Sequence, residues 1–448
     1  MAESTNPRAI RWLRSQLPEL VAGGVINAET ADAIDRHYVA AEARSINFGF
    51  VILAVIGSAL VGAGIILLIA HNWDDFSRAT RCGIAFLPLI AAQLLGFFVL
   101  LRRNDSPAWR ESIAILDVAA VGTAIALVSQ ICQIQGNFAD FLRIWMLLSI
   151  PIVYLFRANF GAVAYIIGSA AWALTKASWS FHRPGVMFFW VLLVLIMPFY
   201  GAIIRRGRAG WGFHVLSLAL IVAGATGLAV TVEFANCEVE AVAFAGFFTT
   251  VYLVGMRWQD DGRRSLNVLS VIGGIGIAVT AVVLSFEDAW NLRAGFFTTG
   301  LSLEQKMAVT IALLFPATAI ALAIWGFARG KFFYSLTTAC LPIVAVVARL
   351  MAGWGPDQGD SADHRSPFAA AVLFNLYALV LGIELMVRGI RAGSVLRANF
   401  GLLVIAGLAL ARFFDSDLSF VIRGVGFIVV GAGFLIANLF FFRRQGRA

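Results

Sequence analysis

Apolar runs about as long as a bilayer is thick recur from residue 48 almost to the end of the chain, and no other feature narrows the fold so far. A helix needs about 20 apolar residues to cross a hydrocarbon core of about 30 Å, with a range of about 17–25. By that measure helices are expected at Phe48–Ala70, Cys82–Leu101, Ile113–Ser129, Ile144–Phe156, Phe160–Leu174, Val186–Ile203 and Phe213–Val232. Seven more are expected at Ala241–Met256, Leu266–Leu284, Met307–Trp325, Phe332–Met351, Phe368–Val387, Ala398–Leu410 and Leu418–Phe442. Lipid offers a backbone no hydrogen-bond partners, so such runs must satisfy their own amides as helices. The fold class is therefore all-α, a polytopic transmembrane helix bundle of about 14 spans with a short N-terminal cytoplasmic helical hairpin. Three runs are short (Ile144–Phe156, Phe160–Leu174 and Ala398–Leu410), and full spans are favoured there over re-entrant or broken segments.

Composition agrees with lipid as the solvent. Of the 448 residues, 60% are hydrophobic and 13% charged, where soluble chains carry roughly 45–50% and about 25%. The chain divides into a cytoplasmic hairpin (1–46), a transmembrane domain (47–442) and a basic cytoplasmic tail (443–448). Residues 1–46 are polar and hold no cleavable secretory signal, so the first apolar run is expected as an uncleaved anchor. Cys82, Cys132, Cys237 and Cys340 are isolated in sequence, which suggests neither a zinc site nor a disulfide framework.

The net charge of +8 lies in short clusters between apolar runs. That is the positive-inside pattern rather than a nucleic-acid surface, and no nucleic-acid partner is expected. With the N-terminus inside, 23 of the 34 lysines and arginines fall on inner segments and 8 on outer ones. Both termini are thus expected in the cytoplasm, with the chain in a bacterial cytoplasmic membrane and the lipid bilayer as its partner. Asp74, Asp75, Glu233, Glu238, Glu240, Glu287, Asp288, Asp357, Asp360 and Asp363 gather on the outer side. Trp73, Trp109, Trp145, Trp211, Trp258, Trp290 and Trp354 sit near expected span ends, as an aromatic belt does.

In the N-terminal segment Ile10, Leu13, Leu17, Leu20 and Val21 recur at helical spacing, and Gly23 and Gly24 end that helix. Asn27 is an N-cap for a second helix carrying Ala31, Ile34 and Tyr38 on one face. Pro18 is expected to kink or restart the first helix. The hairpin reads equally as a cap on the bundle and as a surface for a protein partner.

No His-Glu-x-x-His, Gly-x-Ser-x-Gly or Walker loop is present, so an enzyme is the weakest of three functional readings and no cofactor is expected. Asp357, Asp360, Asp363 and His364 lack a calcium-loop spacing, and no metal is assigned. Glycine-dense stretches, such as Gly273, Gly274 and Gly276, read as helix packing. Arg-Ala-Asn-Phe-Gly occurs at Arg157–Gly161 and again at Arg397–Gly401, an internal repeat of the kind transporters carry. Polar groups at membrane depth are costly and point to function. Asp117, Gln130, Gln133, Arg349, Asn375, Glu384 and Arg412 are such groups, with helix–helix hydrogen bonding or snorkelling near a helix end as the alternative reading of each.

A polar site is expected at the outer ends of the first, third and thirteenth helices. It would comprise His71, Asn72, Trp73 and Asp74, then Asp117 with Gln130 and Gln133 on one helical face, then Arg412, Asp415 and Asp417. The alternative is that Arg412 pairs with Asp415 or Asp74 and merely ties helix ends together. One functional reading is a transporter, channel or lipid-handling protein; the second is a non-transporting scaffold or sensor working through the hairpin.

Ala70-His71-Asn72-Trp73-Asp74 after a glycine-rich first helix, Ile125-Ala126-Leu127, Gln130-Ile131, Gly136, Trp145 and the Arg-Trp-Leu of the N-terminal segment resemble a prokaryotic membrane family. It is catalogued as domain of unknown function 2157, and the resemblance covers roughly the first third of the chain. Arg412-Phe-Phe-Asp415-Ser-Asp417 and Arg423-Gly424 resemble the C-terminal part of its long members. What the resemblance implies is a multi-pass membrane protein, with no activity or ligand attached.

Overall fold

The computed structural model describes residues 7–42, 75–179, 185–206, 210–235, 239–259, 267–290, 301–328, 336–353 and 367–413, with a few positions from 421 to 433. The expected first span, most of the last, the Asp357–His364 loop and the basic tail lie outside the described residues. The chain divides into two units, Met1–Arg81 and Cys82–Ala448.

In the first unit α1 (Pro7–Ala22) and α2 (Ala28–Glu42) form a hairpin. The turn is a Schellman cap. Gly24 has φ 68°, its N–H donates to the Val21 carbonyl at 3.1 Å, and the Val25 N–H donates to the Leu20 carbonyl at 3.0 Å. Asn27 then accepts from the Thr30 N–H at 2.8 Å, which fixes the start of α2. Pro18 lies inside α1 without ending it.

Helix α3 (Arg78–Arg102) crosses the boundary between the units. The second unit continues with α4 (Pro107–Ile131), α5 (Phe138–Phe156), α6 (Asn159–Trp179), α7 (Phe188–Arg206) and α8 (Trp211–Ala235). Next come α9 (Glu240–Gln259), α10 (Val268–Val283), a 3-10 turn (Glu287–Trp290), α11 (Leu303–Ala328), α12 (Leu336–Gly353), α13 (Pro367–Arg391) and α14 (Val395–Phe413). No strand occurs among the described residues. Ten of these helices are long and apolar enough to cross a membrane, and α10 and α12 are shorter apolar helices.

The three runs that look short in sequence are full-length helices of 19, 21 and 19 residues. In α5 the extra length carries two charged residues, Asp140 and Arg143. Asn137 caps the helix by accepting from the Asp140 N–H at 2.8 Å, and Asp140 pairs with Arg143 at 3.1 Å. A capped first turn carrying an ion pair scores as loop when only hydrophobicity is counted.

Without water between them, membrane helices associate through close packing, so small residues set the contacts. Helix α9 is central, touching α8, α10, α11 and α12. It meets α10 backbone to backbone, because a Cβ on Gly255 would lie 2.4 Å from Ser270 N and one on Gly273 would lie 2.5 Å from Tyr252 N. Asn267 closes the junction, donating to the Gly255 carbonyl at 3.1 Å while its Oδ1 caps α10. On one side an apolar core joins α5–α8 with α9 and α11; on the other a second core joins α9, α10, α12 and α13 around Trp290 and Phe374.

The two Arg-Ala-Asn-Phe-Gly copies share packing but not register. Arg157 is left-handed (φ 51°) and ends α5, so the first copy spans a turn, whereas Arg397 lies inside α14. In both, the alanine and glycine fall three residues apart and meet a neighbouring helix: Gly161 on Ala114, Ala398 on Gly389 and Gly401 on Met386. The first copy also receives a cap from a distance, since the Glu111 carboxylate accepts the N–H groups of Asn159 and Phe160, both at 2.7 Å. A carboxylate on a helix N-terminus makes charge-assisted hydrogen bonds and opposes the helix dipole. Glu111→Ala is expected to cost about 2 kcal/mol, seen as a lowered melting temperature in detergent, with Glu111→Gln losing less. An unchanged melting temperature would show that the cap contributes nothing.

Candidate functional site

Asp117 lies on the inner face of α4, ten residues after Pro107 and fourteen before Ile131. At 1.5 Å per residue that is about 15 Å from one end and about 21 Å from the other. The residue is 4% exposed, and its Oδ1 is buried with no hydrogen-bond partner. The other oxygen approaches α3, where a Cβ on Gly96 would come within 3.2 Å of Oδ2 and 2.8 Å of the Phe156 ring. Val99, Ile113, Ala114, Phe156 and Ala158 form the apolar cluster around this corner. One residue further along α4, the Trp145 indole donates to the Val118 carbonyl at 2.7 Å, and Gly122 leaves room for its ring. The helix bearing the carboxyl is thereby pinned to α5.

Among the described residues, the other expected polar groups are not brought to Asp117. Gln130 is exposed at the end of α4, and Gln133 lies past that end with φ 51°. The Gln133 N–H donates to the Gln130 carbonyl at 3.3 Å and the Ile134 N–H to the Ser129 carbonyl at 2.9 Å, so Gln133 is the left-handed residue of a Schellman cap. The expected shared face of Gln130 and Gln133 is therefore corrected: the helix stops between them. His71, Asn72, Trp73, Asp74, Asp415 and Asp417 lie outside the described residues.

Arg412 and Asn375 do meet. Both donate to the Ser285 carbonyl just past α10, Arg412 at 2.8 Å and Asn375 at 3.0 Å. Arg412 also reaches Ser285 Oγ at 3.2 Å and lies 4.7 Å over the Phe286 ring. Trp290 donates to the Leu284 carbonyl at 2.8 Å and fixes the 3-10 turn beside them. Arg349 is buried on α12. Glu384 accepts from Thr337 Oγ1 and pairs with Arg388 at 2.6 Å, joining α12 to α13. Helix α4 packs on α5 and α6, and α14 on α10 and α13, so Asp117 and Arg412 belong to different helix groups.

Sequence reading misses several of these partners. Glu111 and Ser285 are contacts across 48 and 127 residues and leave no local signal. Cys82 and Cys132, isolated in sequence, are free thiols brought near one another. Among the described residues no group of three or more His, Cys, Asp or Glu is placed to hold a metal.

The outward faces settle the solvent. Leu94 (66% exposed), Val194 (65%) and Ile324 (63%) each stand outward from helices of spanning length. Apolar surface repeated on helix after helix suits hydrocarbon, not water. Residues 18–162 match the model of the family described as "Predicted membrane protein (DUF2157)". The match to DUF2157 covers about a third of the chain, including α3, α4 and α5 with Glu111, Asp117 and Trp145, and excludes Arg412, Asn375 and Ser285. No curated protein and no solved structure matches the chain. The DUF2157 match and the helices together make this a multi-pass membrane protein.

Proposed function

We propose that the protein is a transporter-like or solute-handling component of the cytoplasmic membrane, with both termini in the cytoplasm, and that Asp117 is its ion- or proton-binding group. The observation that carries this reading is a mid-span carboxyl with a buried oxygen that has no hydrogen-bond partner among the described residues. A charged side chain at that depth costs about 2.5–3.5 kcal/mol on insertion scales, and such groups mark ion and proton paths. A proton or a small cation on Asp117 removes the charge. The asymmetry of lysine and arginine between alternate loops supports the orientation.

A hydrophobic carbodiimide tests the reading without knowledge of the substrate, because it modifies protonated carboxyls in apolar surroundings. The full-length protein in native membranes is expected to be labelled at Asp117. Labelling should fall as pH rises or sodium is added, and be absent in Asp117→Asn. Absence of labelling, or labelling indifferent to both pH and sodium, overturns the proposal and favours the scaffold reading, in which the exposed turn residue Val25 of the hairpin is a contact for a protein partner.

A further inference from the structure

A groove of about 670 Å³ runs along α11, walled by α7 and α9 and lined by Trp190, Val254, Leu314, Phe315, Thr318 and Leu322 among others. Its hydroxyls are turned to other work. Thr318 and Thr250 both donate to the Phe315 carbonyl, at 2.8 Å and 3.0 Å, beside Pro316, which breaks the helix's own ladder. The surface left to an occupant is almost entirely hydrocarbon. On its open side Leu314 is 55% exposed and Thr318 is exposed too.

The groove has a length and an end. From Ile311 to Leu322 the lining extends eleven residues along α11, which is about 16 Å. That is about half of a 30 Å hydrocarbon core, the depth of one leaflet. Along α11 the stripe continues from Leu322 to Trp325, and along α9 from Val254 to Arg257, each three residues on and therefore on the same face. There the Arg257 guanidinium sits 4.2 Å over the Trp325 ring. Tryptophan prefers the headgroup level, and an arginine held on its ring has its donors available to an anion. A hydrocarbon trough one leaflet deep, closed by a fixed cation at its interfacial end, has the polarity of a phospholipid molecule.

We propose that the groove between α9 and α11 binds one acyl chain of an anionic phospholipid, with the lipid phosphate on Arg257. The charge distribution of the loops places Arg257 on the cytoplasmic side, where the anionic leaflet lies. The proposal rests on the orientation proposed above but not on Asp117, which lies on α4, so the lipid site and the ion-binding role of Asp117 stand or fall separately.

Native mass spectrometry of the full-length protein in detergent, titrated with phosphatidylglycerol and with phosphatidylcholine of the same chains, tests it. The expected result is a retained phosphatidylglycerol adduct that outlasts the phosphatidylcholine one. Arg257→Ala should weaken phosphatidylglycerol about fivefold, the effect of about one interfacial cation, and leave phosphatidylcholine unchanged. Ala321→Trp fills the groove and should remove the adduct; where that variant is not monodisperse, Leu314→Trp on the open edge serves the same purpose. Equal retention of the two lipids by the native protein, or undiminished retention in a monodisperse groove-filling variant, overturns the proposal.

Discussion

Replacing Asp117 with leucine is expected to make the protein more stable, by about 1–3 kcal/mol, while abolishing carbodiimide labelling at that position. Most core substitutions go the other way, because a packed interior loses contacts with almost any change. Here the native residue is the misfit: a carboxyl 4% exposed, with one oxygen that no described residue partners. Removing an uncompensated polar group from an apolar site returns its desolvation cost, and leucine is close to the size the site holds. Asp117→Asn keeps a polar group and should gain less. Unfolding by denaturing detergent, followed by helical circular dichroism, measures both variants. Gain of stability together with loss of a chemical property is the signature of a residue kept for function. A fall in stability for both variants would mean that the carboxyl is a structural element, and the proposal for Asp117 would lose its basis.

Gly246→Leu should be among the most damaging single changes in the bundle, costing at least about 3 kcal/mol. A Cβ at this position would lie 2.2 Å from Pro316 N and 2.5 Å from its Cα. Both are backbone or ring-fixed atoms, so no rotamer change makes room, and α9 must part from α11. Gly246→Ala already demands that separation. Gly407 in α14 is the control. A Cβ there meets nothing within 4 Å, and Gly407→Ala should be neutral or gain about 0.5–1 kcal/mol from reduced backbone freedom. If Gly246→Ala and Gly407→Ala melt together, close approach at the α9–α11 crossing is not what holds those helices.

The legible part of this fold is whatever repeats along the chain. Spanning runs appear because every residue in them contributes to the same average, and glycine–asparagine punctuation marks the hairpin because the cap is local. A helix end is hard to place from hydropathy where charged residues belong to the helix, as Asp140 and Arg143 do in α5. Gln133 shows the complementary failure. Its spacing from Gln130 fits a helical face, yet the chain turns left-handed at Gln133, a conformation expected of glycine and not signalled by glutamine. At the candidate site Asp117 could be seen because a lone acid in an apolar run is conspicuous. Its neighbours could not: Gly96 is ordinary in a membrane helix, and Phe156 is one of 37 phenylalanines. The meeting of Asn375 and Arg412 on one carbonyl is a property of three helices at once, and no window on the sequence contains all three.

That shared carbonyl also has a history in time. Ser285 is made 90 residues before Asn375 and 127 before Arg412. At about 5–20 residues per second, a ribosome needs roughly 6–25 s to travel from Ser285 to Arg412. Until Asn375 is made the end of α10 lacks both of its side-chain donors, and until Arg412 is made it still lacks one. The lock on the earlier helix is delivered by the later ones, so completion of the second core is reported at a single atom. A chain that stops before Asn375 leaves that atom without either donor, and one that stops between Asn375 and Arg412 leaves it with one, so the state of a single carbonyl separates a chain with its later helices from one without them.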